Sequence, residues 1–271
     1  MCLIALAWGV SPDYPLVIAA NRDEVYDRPT AALAQWTTAT GHTIVSGRDL
    51  KDGGTWMGFA PNGRFAMLTN VRNPLATAPQ GAPSRGELVM AWLSSMLKAQ
   101  PWCAERDLAA YAGFNLIVGD WAHQQCHYMS NQSSEYAVHS LQRGQIYGLS
   151  NAALNTPWPK TQWLMAQVRE HLKNSDNHKA PQTLTMRLLT ALQNAELAPN
   201  QYLPQTGVAN DLESALSSVF VRYPLSAPVY GTRSSLCAIL GTDAALQLTE
   251  TSYAAPEQTV QTVQTTLRWP Y

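Results

Sequence analysis

The sequence predicts an α+β fold in which helices cover β-sheets. Residues 1–70 contain only strand-type apolar runs, and blocks of strands then alternate with blocks of helices along the rest of the chain. Such blocks indicate layered α+β packing, whereas a nucleotide-binding α/β fold would alternate single strands with single helices. Neither a G-x-G-x-x-G segment nor a Walker motif is present to favour that alternative.

The chain begins with a predicted β-hairpin. Its two apolar runs, 2–9 and 15–21, are joined by the turn-forming segment 11–14. Segments rich in Gly and Pro at 53–54 and 61–63 then separate shorter strands. These strands are predicted at 43–46, 55–60 and 64–69.

A helix is predicted over about 84–98. Ser84 and Glu87 have the S-x-x-E spacing of a capping box, and Leu88 and Trp92 follow at helical spacing. The remaining strands are predicted at 114–118, 126–130, 146–150, 229–240, 244–249 and 265–269. The remaining helices are predicted at 160–172, 184–192 and 212–219. No repeat or low-complexity stretch interrupts this order, and the length of 271 residues fits one large domain or two small ones.

The charge balance excludes one class of partner. Eighteen Lys and Arg stand against 19 Asp and Glu, and only 14% of the chain is charged. A protein that binds nucleic acid needs a clustered positive excess to neutralise phosphates, so no nucleic-acid partner is predicted. The apolar start of the chain is shorter than the roughly 20 residues that span a bilayer, and no Lys or Arg precedes it as in a signal peptide. We therefore predict a cytoplasmic protein without an integral membrane segment.

The cysteine pattern singles out Cys2. Four cysteines are present without a C-x-x-C pair, so neither a zinc site nor a redox site is predicted. Removal of the initiator Met would place a thiol and an α-amine on Cys2 together. The α-amine has a pKa of about 8 and the thiol a pKa of about 8.5. One residue would therefore supply both a general base and a nucleophile.

Polar residues follow several of the apolar strands. They form the segments Asn21-Arg22-Asp23-Glu24, Thr69-Asn70-Val71-Arg72, Ser150-Asn151 and Tyr230-Gly231-Thr232-Arg233-Ser234-Ser235. A strand end is also an ordinary place for solvated charges and turn-forming Asn, so each segment alone has a structural explanation. Within a hairpin, the end of the second strand returns beside the start of the first, so Asp23 could hold the α-amine of Cys2. An Arg between hydroxyls inside a strand, as Arg233 is, must be paired or line a cavity.

As an ordered set, these motifs resemble the NRDE family, also called the transport and Golgi organisation 2 family. The set consists of Met-Cys at the N-terminus, Asn21-Arg22-Asp23-Glu24, Gly53-Gly54-Thr55-Trp56-Met57-Gly58, Thr69-Asn70 and the segment 230–235. This family is similar to the N-terminal nucleophile hydrolases, and the resemblance implies a four-layer αββα sandwich that forms a single domain over residues 1–271. The helix and strand order given above agrees with that fold and does not by itself require it.

The resemblance to the cysteine-type enzymes of that superfamily, such as penicillin V acylase and bile salt hydrolase, implies a set of catalytic positions. It places Cys2 as nucleophile, Asp23 as the group that orients the amine, Asn70 and Asn151 as oxyanion and positioning residues, and Arg233 as a structural and electrostatic residue beside the nucleophile. One departure concerns an Arg that those enzymes carry just before their Asn-x-Asp segment. Here Ala19-Ala20 precede Asn21, and Arg22 is displaced in sequence.

The family resemblance implies haem binding and haem trafficking, with haem as cargo and with haem-donor or haem-acceptor proteins as partners. The ligand-binding residues predicted for an anionic ligand are Asn21, Arg22, Trp56, Arg72, Thr232 and Ser234. The sequence assigns no axial ligand or metal site, since none of its six His lies in a haem-attachment motif. A second hypothesis stays open, in which Cys2 attacks a carbon–nitrogen bond of a small acylated substrate and no cofactor is required. Whether the protein is an enzyme is left open at this point.

Overall fold

The computed structural model describes residues 2–132, 137–173, 180–223, 229–255 and 258–270. The strands of the described residues are β1 (Cys2–Trp8), β2 (Leu16–Val25), β3 (Thr30–Thr37), β4 (Thr43–Asp49), β5 (Met57–Phe59), β6 (Arg64–Asn70), β7 (Phe114–Asp120), β8 (Gln125–Ser130), β9 (His139–Ser140), β10 (Gln145–Leu149), β11 (Arg222–Tyr223), β12 (Tyr230–Leu240), β13 (Ala245–Ala255) and β14 (Gln258–Arg268). The α-helices are α1 (Gly86–Leu93), α2 (Ala99–Ala104), α3 (Pro159–Lys173), α4 (Pro181–Leu192) and α5 (Asn210–Ala215).

The chain divides into two compact units, each built around one sheet. The first unit contains residues 1–27 and 143–267, and the second contains 28–142 and 268–271. The sheet of the first unit has the strand order β10-β1-β2-β12-β13-β14, with β11 paired to β12. The sheet of the second unit runs in the order β3-β4-β5-β6-β7-β8-β9. The α+β prediction is confirmed, and the single domain over 1–271 stays a prediction.

The core of the first unit lies between its sheet and two helices. Leu3, Ala5 and Ala7 of β1 alternate along the strand and pack in one cluster with Leu164 of α3 and Leu188 of α4. Since successive side chains of a strand point to opposite faces, Cys2 lies on the other face, with the even-numbered residues of β1. All seven residues of β1 are buried, so this strand is enclosed on both faces.

The core of the second unit is built in the same way. Leu88, Val89 and Trp92 of α1 pack in one cluster with Ala66 and Leu68 of β6. The residues between these strand positions therefore lie on the opposite face of the sheet. In both units a helix with one apolar face covers one face of the sheet, which is the layered arrangement that the sequence predicts.

The helix predicted over 84–98 is shorter in the structure. Helix α1 ends at Leu93, and a separate helix α2 begins at Ala99. The capping box is not formed, because Arg85 is the N-cap and no side chain caps the helix. After the helix, the Ser95 hydroxyl accepts a hydrogen bond of 3.0 Å from the Leu97 backbone N–H, a local bond of the kind that competes with helix continuation.

Three strands were missed and one was placed too late in the sequence. The strands β3, β9 and β11 are absent from the predictions, and β14 begins at Gln258 instead of residue 265. Most side chains of β14 are exposed on both faces, so the strand lacks the apolar alternation on which the prediction depends. The last predicted helix, 212–219, is α5, which ends at Ala215.

Within the described residues, no helix is both long and apolar enough to cross a membrane.

A close approach in the second unit provides a test of its packing. Phe65 of β6 faces Gly119 of β7 across the sheet, and a methyl group added at Gly119 would lie 2.0 Å from the Phe65 ring. We expect Gly119→Ala to lower the free energy of unfolding by about 1–3 kcal/mol through overpacking. Urea denaturation of Gly119→Ala in the wild-type and Phe65→Leu backgrounds measures this, and an equal loss in both backgrounds would contradict the role of the ring.

Candidate functional site

The start of β1 brings several predicted site residues together within the first unit. Cys2 pairs with Arg22 of β2 in the antiparallel register, so the end of the second hairpin strand lies beside the first residue of β1. Arg22 in turn pairs with Ser234 of β12. Cys2, Arg22 and Ser234 therefore stand side by side on adjacent strands, on the sheet face opposite the helices.

Ser150 reaches Cys2 from the other side. Strand β10 pairs with β1 up to Leu149 opposite Ile4, and Ser150 and Asn151 follow directly after this pair. The Ser150 hydroxyl donates a hydrogen bond of 3.0 Å to the Cys2 carbonyl oxygen and lies 3.2 Å from Oδ1 of Asn151. Ser150 was not among the predicted site residues, although it adjoins the predicted Asn151.

The Cys2 thiol is buried, with 9% of the residue exposed. Burial raises the pKa of the Cys2 thiol, and the Asp23 carboxylate acts in the same direction. The positive charge of Arg22 and a hydrogen bond from the Asp23 backbone N–H act against the effect of burial and lower this pKa. Because the pKa is raised in total, the thiol is protonated at neutral pH and needs a base before it can act as a nucleophile.

A buried hydroxyl on β12 holds the Asp23 carboxylate. Thr232 Oγ1 donates a hydrogen bond of 2.7 Å to Oδ1 of Asp23 and accepts one of 2.9 Å from the Val221 backbone N–H. Both Asp23 and Thr232 are buried. Thr232 thus fixes the position of the carboxylate whose charge acts on the Cys2 thiol. Met1 lies outside the described residues, so the predicted role of Asp23 toward the α-amine stays a prediction. The predicted contact of Thr232 with a ligand also stays a prediction.

Arg233 occupies a bulge in the pairing of β12 with β2. The register shifts between Thr232 and Ser234, so Arg233 is the extra residue of the bulge. Its Nη1 donates to the carbonyl oxygens of Val25, at 3.0 Å, and Tyr26. Burial lowers the pKa of Arg233, and the nearby positive charge of Arg22 lowers it further.

Tyr26 holds the bulge in place, a role that no pattern in the sequence predicts. Its hydroxyl donates a hydrogen bond of 3.0 Å to the Thr232 carbonyl oxygen, and the Arg233 guanidinium lies 5.5 Å from its ring centroid. Burial, together with the Asp23 carboxylate, raises the pKa of Tyr26 to about 12. A side chain at Gly231 would meet this hydroxyl at 2.9 Å, which explains a glycine in the 230–235 segment.

Asn21 uses its side chain to tie the sheet to the segments that cover it. Its amide nitrogen donates to the carbonyl oxygens of Leu192, at 2.8 Å, and Val219, at 2.9 Å. Its Oδ1 accepts a hydrogen bond of 2.6 Å from Ser235, whose Oγ accepts one of 3.2 Å from the Tyr253 hydroxyl. Asn21 is therefore a structural anchor on the face opposite Cys2, and its predicted contact with a ligand stays a prediction.

A small pocket opens near this chain of hydrogen bonds. It has a volume of about 220 Å³ and is lined by Gln193, Phe220, Arg222, Tyr253 and Thr259. Pockets for drug-sized ligands typically measure roughly 300–1,000 Å³. This pocket is therefore too small for a ligand of the size of haem.

Three predicted site residues belong to the second unit. Asn70 is the last residue of β6 and pairs with Phe114, and Arg72 follows two residues later. Trp56 precedes β5, and its ring packs so closely on Gly47 that a methyl group there would lie 2.5 Å away. The predicted roles of Asn70, Arg72 and Trp56 toward a ligand or oxyanion stay predictions.

The described residues contain no group of three or more His, Cys, Asp and Glu that could hold a metal ion. His123, one of the two His that flank Cys126 in sequence, is 66% exposed and lies 3.0 Å from Asp120. His42 and His139 are also exposed, and His127 and His171 are half-buried. His178 lies outside the described residues. The described histidines are thus exposed or half-buried.

Comparisons with known proteins agree on one family and one fold. A family model described as Transport and Golgi organisation 2 matches residues 1–255. The Transport and Golgi organization protein 2 homolog of Bos taurus is 32% identical over 96% of this chain and 95% of its own length, and that of Homo sapiens is 31% identical over 93% of each. The crystal structure of the mutant C2A conjugated bile acid hydrolase from Clostridium perfringens covers 98% of this chain and 92% of its own, at a TM-score of 0.53 and 9% identity. That similarity shows the N-terminal nucleophile hydrolase fold, as predicted.

The raised pKa of Cys2 gives a pH prediction. In the folded protein we expect the rate of iodoacetamide alkylation at Cys2 to keep rising with pH above the ordinary thiol pKa of about 8.5, because burial delays formation of the thiolate. Peptide mass spectrometry measures the rate at each cysteine, and the urea-unfolded protein is the control. A rate at Cys2 that levels off below pH 8 would contradict the effect of burial and indicate an activated thiolate.

Proposed function

Because the chain belongs to the Transport and Golgi organisation 2 family and has the fold of the N-terminal nucleophile hydrolases, we propose that it binds haem and transfers it between proteins as a haem chaperone. The family resemblance implies the haem role. One observation in this chain supports an anionic ligand of that kind. Arg22 and Arg233 lie on paired strands, close enough that the charge of Arg22 lowers the pKa of Arg233. Two neighbouring guanidinium groups suit the two propionates of haem.

The residues around Cys2 favour loose binding of haem over tight coordination of its iron. A Cys thiolate is one of the usual axial ligands of haem, together with His, Met and Tyr. The raised pKa of Cys2 keeps its thiol protonated, and the described histidines are exposed or half-buried. A carrier that releases its cargo needs weak coordination, so contacts of the propionates with Arg would supply most of the affinity. Cytoplasmic haem donors and acceptors are the partners that this role requires.

Haemin titration followed in the Soret region tests the proposal. We expect a saturable shift with wild-type protein, and a loss of affinity of about tenfold or more in Arg22→Gln, because a charge-assisted contact with a propionate is removed. Arg169→Gln on the exposed side of α3 is the matched control and should bind as the wild type does. Cys2→Ala should leave the position of the Soret band unchanged. Absence of a saturable shift at micromolar protein would contradict haem binding, and equal losses in both Arg variants would contradict the role of Arg22.

A second candidate function is favoured by the polar groups around Cys2. The Asp23 backbone N–H reaches the thiol, Ser150 reaches the Cys2 carbonyl, and Arg22 lies opposite Cys2 in the strand register. Asn151 lies next to Ser150, with its Oδ1 3.2 Å from the Ser150 hydroxyl. A cysteine-type amidohydrolase needs such a set to orient the nucleophile and to stabilise an oxyanion. The substrate would be a small acylated amine, and its anionic group would meet Arg22.

The chemistry of this second function would depend on removal of Met1. The α-amine of Cys2 would take the thiol proton while the sulfur attacks the amide carbon, and Asn151 would stabilise the oxyanion. Collapse of this intermediate would break the carbon–nitrogen bond, with the proton passing from the α-ammonium to the leaving amine. Water would then hydrolyse the thioester and regenerate the thiol.

Hydrolysis of a panel of N-acyl amines, with intact-mass measurement of the same samples, tests the amidohydrolase. We expect turnover only in protein without Met1, and a loss of at least about 10³-fold in Cys2→Ala, because the nucleophile is removed. Cys103→Ala removes another buried thiol and should retain activity. Turnover that persists in Cys2→Ala, or in protein that retains Met1, would contradict this mechanism.

A further inference from the structure

The edge strands of the two sheets differ in how well they are protected. Among the described residues the edges are β10 and β14 in the first sheet and β3 and β9 in the second. An edge presents unpaired backbone groups, and proteins usually shorten, bulge or cover it to prevent pairing with another chain. Strand β3 carries a register shift between Ala31 and Ala34, β9 has two residues, and β10 has five residues, of which four are buried.

Strand β14 is neither short nor covered along most of its length. It is eleven residues long, and residues 259–262 are all exposed, so side chains on both of its faces are open. Val260 alone is 59% exposed. From residue 258 to residue 267 the sequence QTVQTVQTTL contains no charged residue and no Pro. Thr and Val have high β-propensity, so this edge is a long, regular template for strand addition.

We propose that β14 pairs with β14 of a second copy of this chain, antiparallel about a two-fold axis, so that one sheet continues through a dimer. With Thr262 opposite the same residue of the second copy, Thr259 lies opposite Thr265 and Val260 lies opposite Gln264. All of these pairs are uncharged, and the Thr and Val residues are β-branched, which favours cross-strand contact. The Thr262 hydroxyl is 3.1 Å from that of Thr251 on β13, so the neighbouring strand supports the centre of the proposed interface.

The composition of the edge favours a second copy over an unrelated peptide. Recognition of a foreign strand draws its specificity from a series of side-chain pockets along the strand or from complementary charge. Residues 258–267 carry no charge, and the pocket lined by Thr259 lies at one end of the strand. A two-fold axis instead matches two identical strands of equal length, so that each satisfies the backbone groups of the other. Eleven residues span about 35 Å, and an interface of this size falls below about 1,200 Å², which predicts a reversible dimer with micromolar affinity.

Sedimentation velocity over about 1–100 μM protein tests the dimer. We expect the wild type to shift from monomer to dimer across this range. The double variant Gln261→Lys/Gln264→Lys places like charges from both copies around the axis and should stay monomeric. Gln162→Lys/Gln182→Lys makes the same change of charge at exposed helix positions and should dimerise as the wild type does. A wild type that stays monomeric, or an edge variant that dimerises normally, would overturn the proposal.

Cysteine crosslinking tests the register. Thr262→Cys would bring two thiols face to face at the axis, so we expect a covalent dimer under mild oxidation. In the Thr259→Cys variant the new thiol lies opposite Thr265 of the second copy and has no thiol partner. This variant should therefore run as a monomer on a denaturing gel. The native cysteines are all buried and do not compete. Equal crosslinking of both variants would overturn the register, and a monomeric wild type that captures a synthetic peptide of residues 258–268 would indicate a peptide partner instead.

Discussion

The candidate site depends on one buried interaction, the hydrogen bond from Thr232 to the Asp23 carboxylate. A carboxylate removed from water is costly unless hydrogen bonds compensate for it, and the Thr232 hydroxyl supplies one at 2.7 Å. To make that bond, β12 must pass beside β2 with an extra residue between Thr232 and Ser234. The bulge then turns Arg233 toward the carbonyl oxygens at the end of β2, where Tyr26 supports it from the other side.

The hairpin and its polar end could be predicted from the sequence because their signals are local. The apolar runs, the turn between them and the polar residues after them all lie within the first 24 residues, and antiparallel pairing alone brings Arg22 beside Cys2. The partners of Asn21 could not be predicted in the same way. Its amide contacts Leu192 and Val219, more than 170 residues away in sequence, and no spacing rule connects residues so distant. The length of β14 was underestimated for a related reason, since an exposed polar strand carries no periodic apolar signal.

The two candidate functions make opposite demands on Cys2. A nucleophile is most effective as a thiolate, whereas the burial of Cys2 and the adjacent Asp23 carboxylate favour the neutral thiol. The free α-amine that removal of Met1 would create supplies both a base and a positive charge, so that one processing step would reverse this balance. Without it, the same surroundings present a buried neutral thiol beside the Arg22 guanidinium, which is better suited to binding an anion than to breaking a bond. The state of the N-terminus therefore decides between the two functions more directly than any other residue does.

The proposed dimer edge and the candidate site belong to one hydrogen-bonded sheet. Strand β14 is separated from β2 by β12 and β13. Strand β12 carries Thr232, which bonds to Asp23, and β13 carries Tyr253, whose hydroxyl bonds to Ser235 of β12. Pairing at β14 would reduce the motion of β13 and, through it, of the strand that carries the Arg233 bulge. Ligand binding that orders the bulge would in turn favour the paired edge, because a coupling between two sites is reciprocal. Affinity measured for a ligand of the Cys2 site should therefore depend on protein concentration, which makes the oligomeric state a variable of the binding reaction itself.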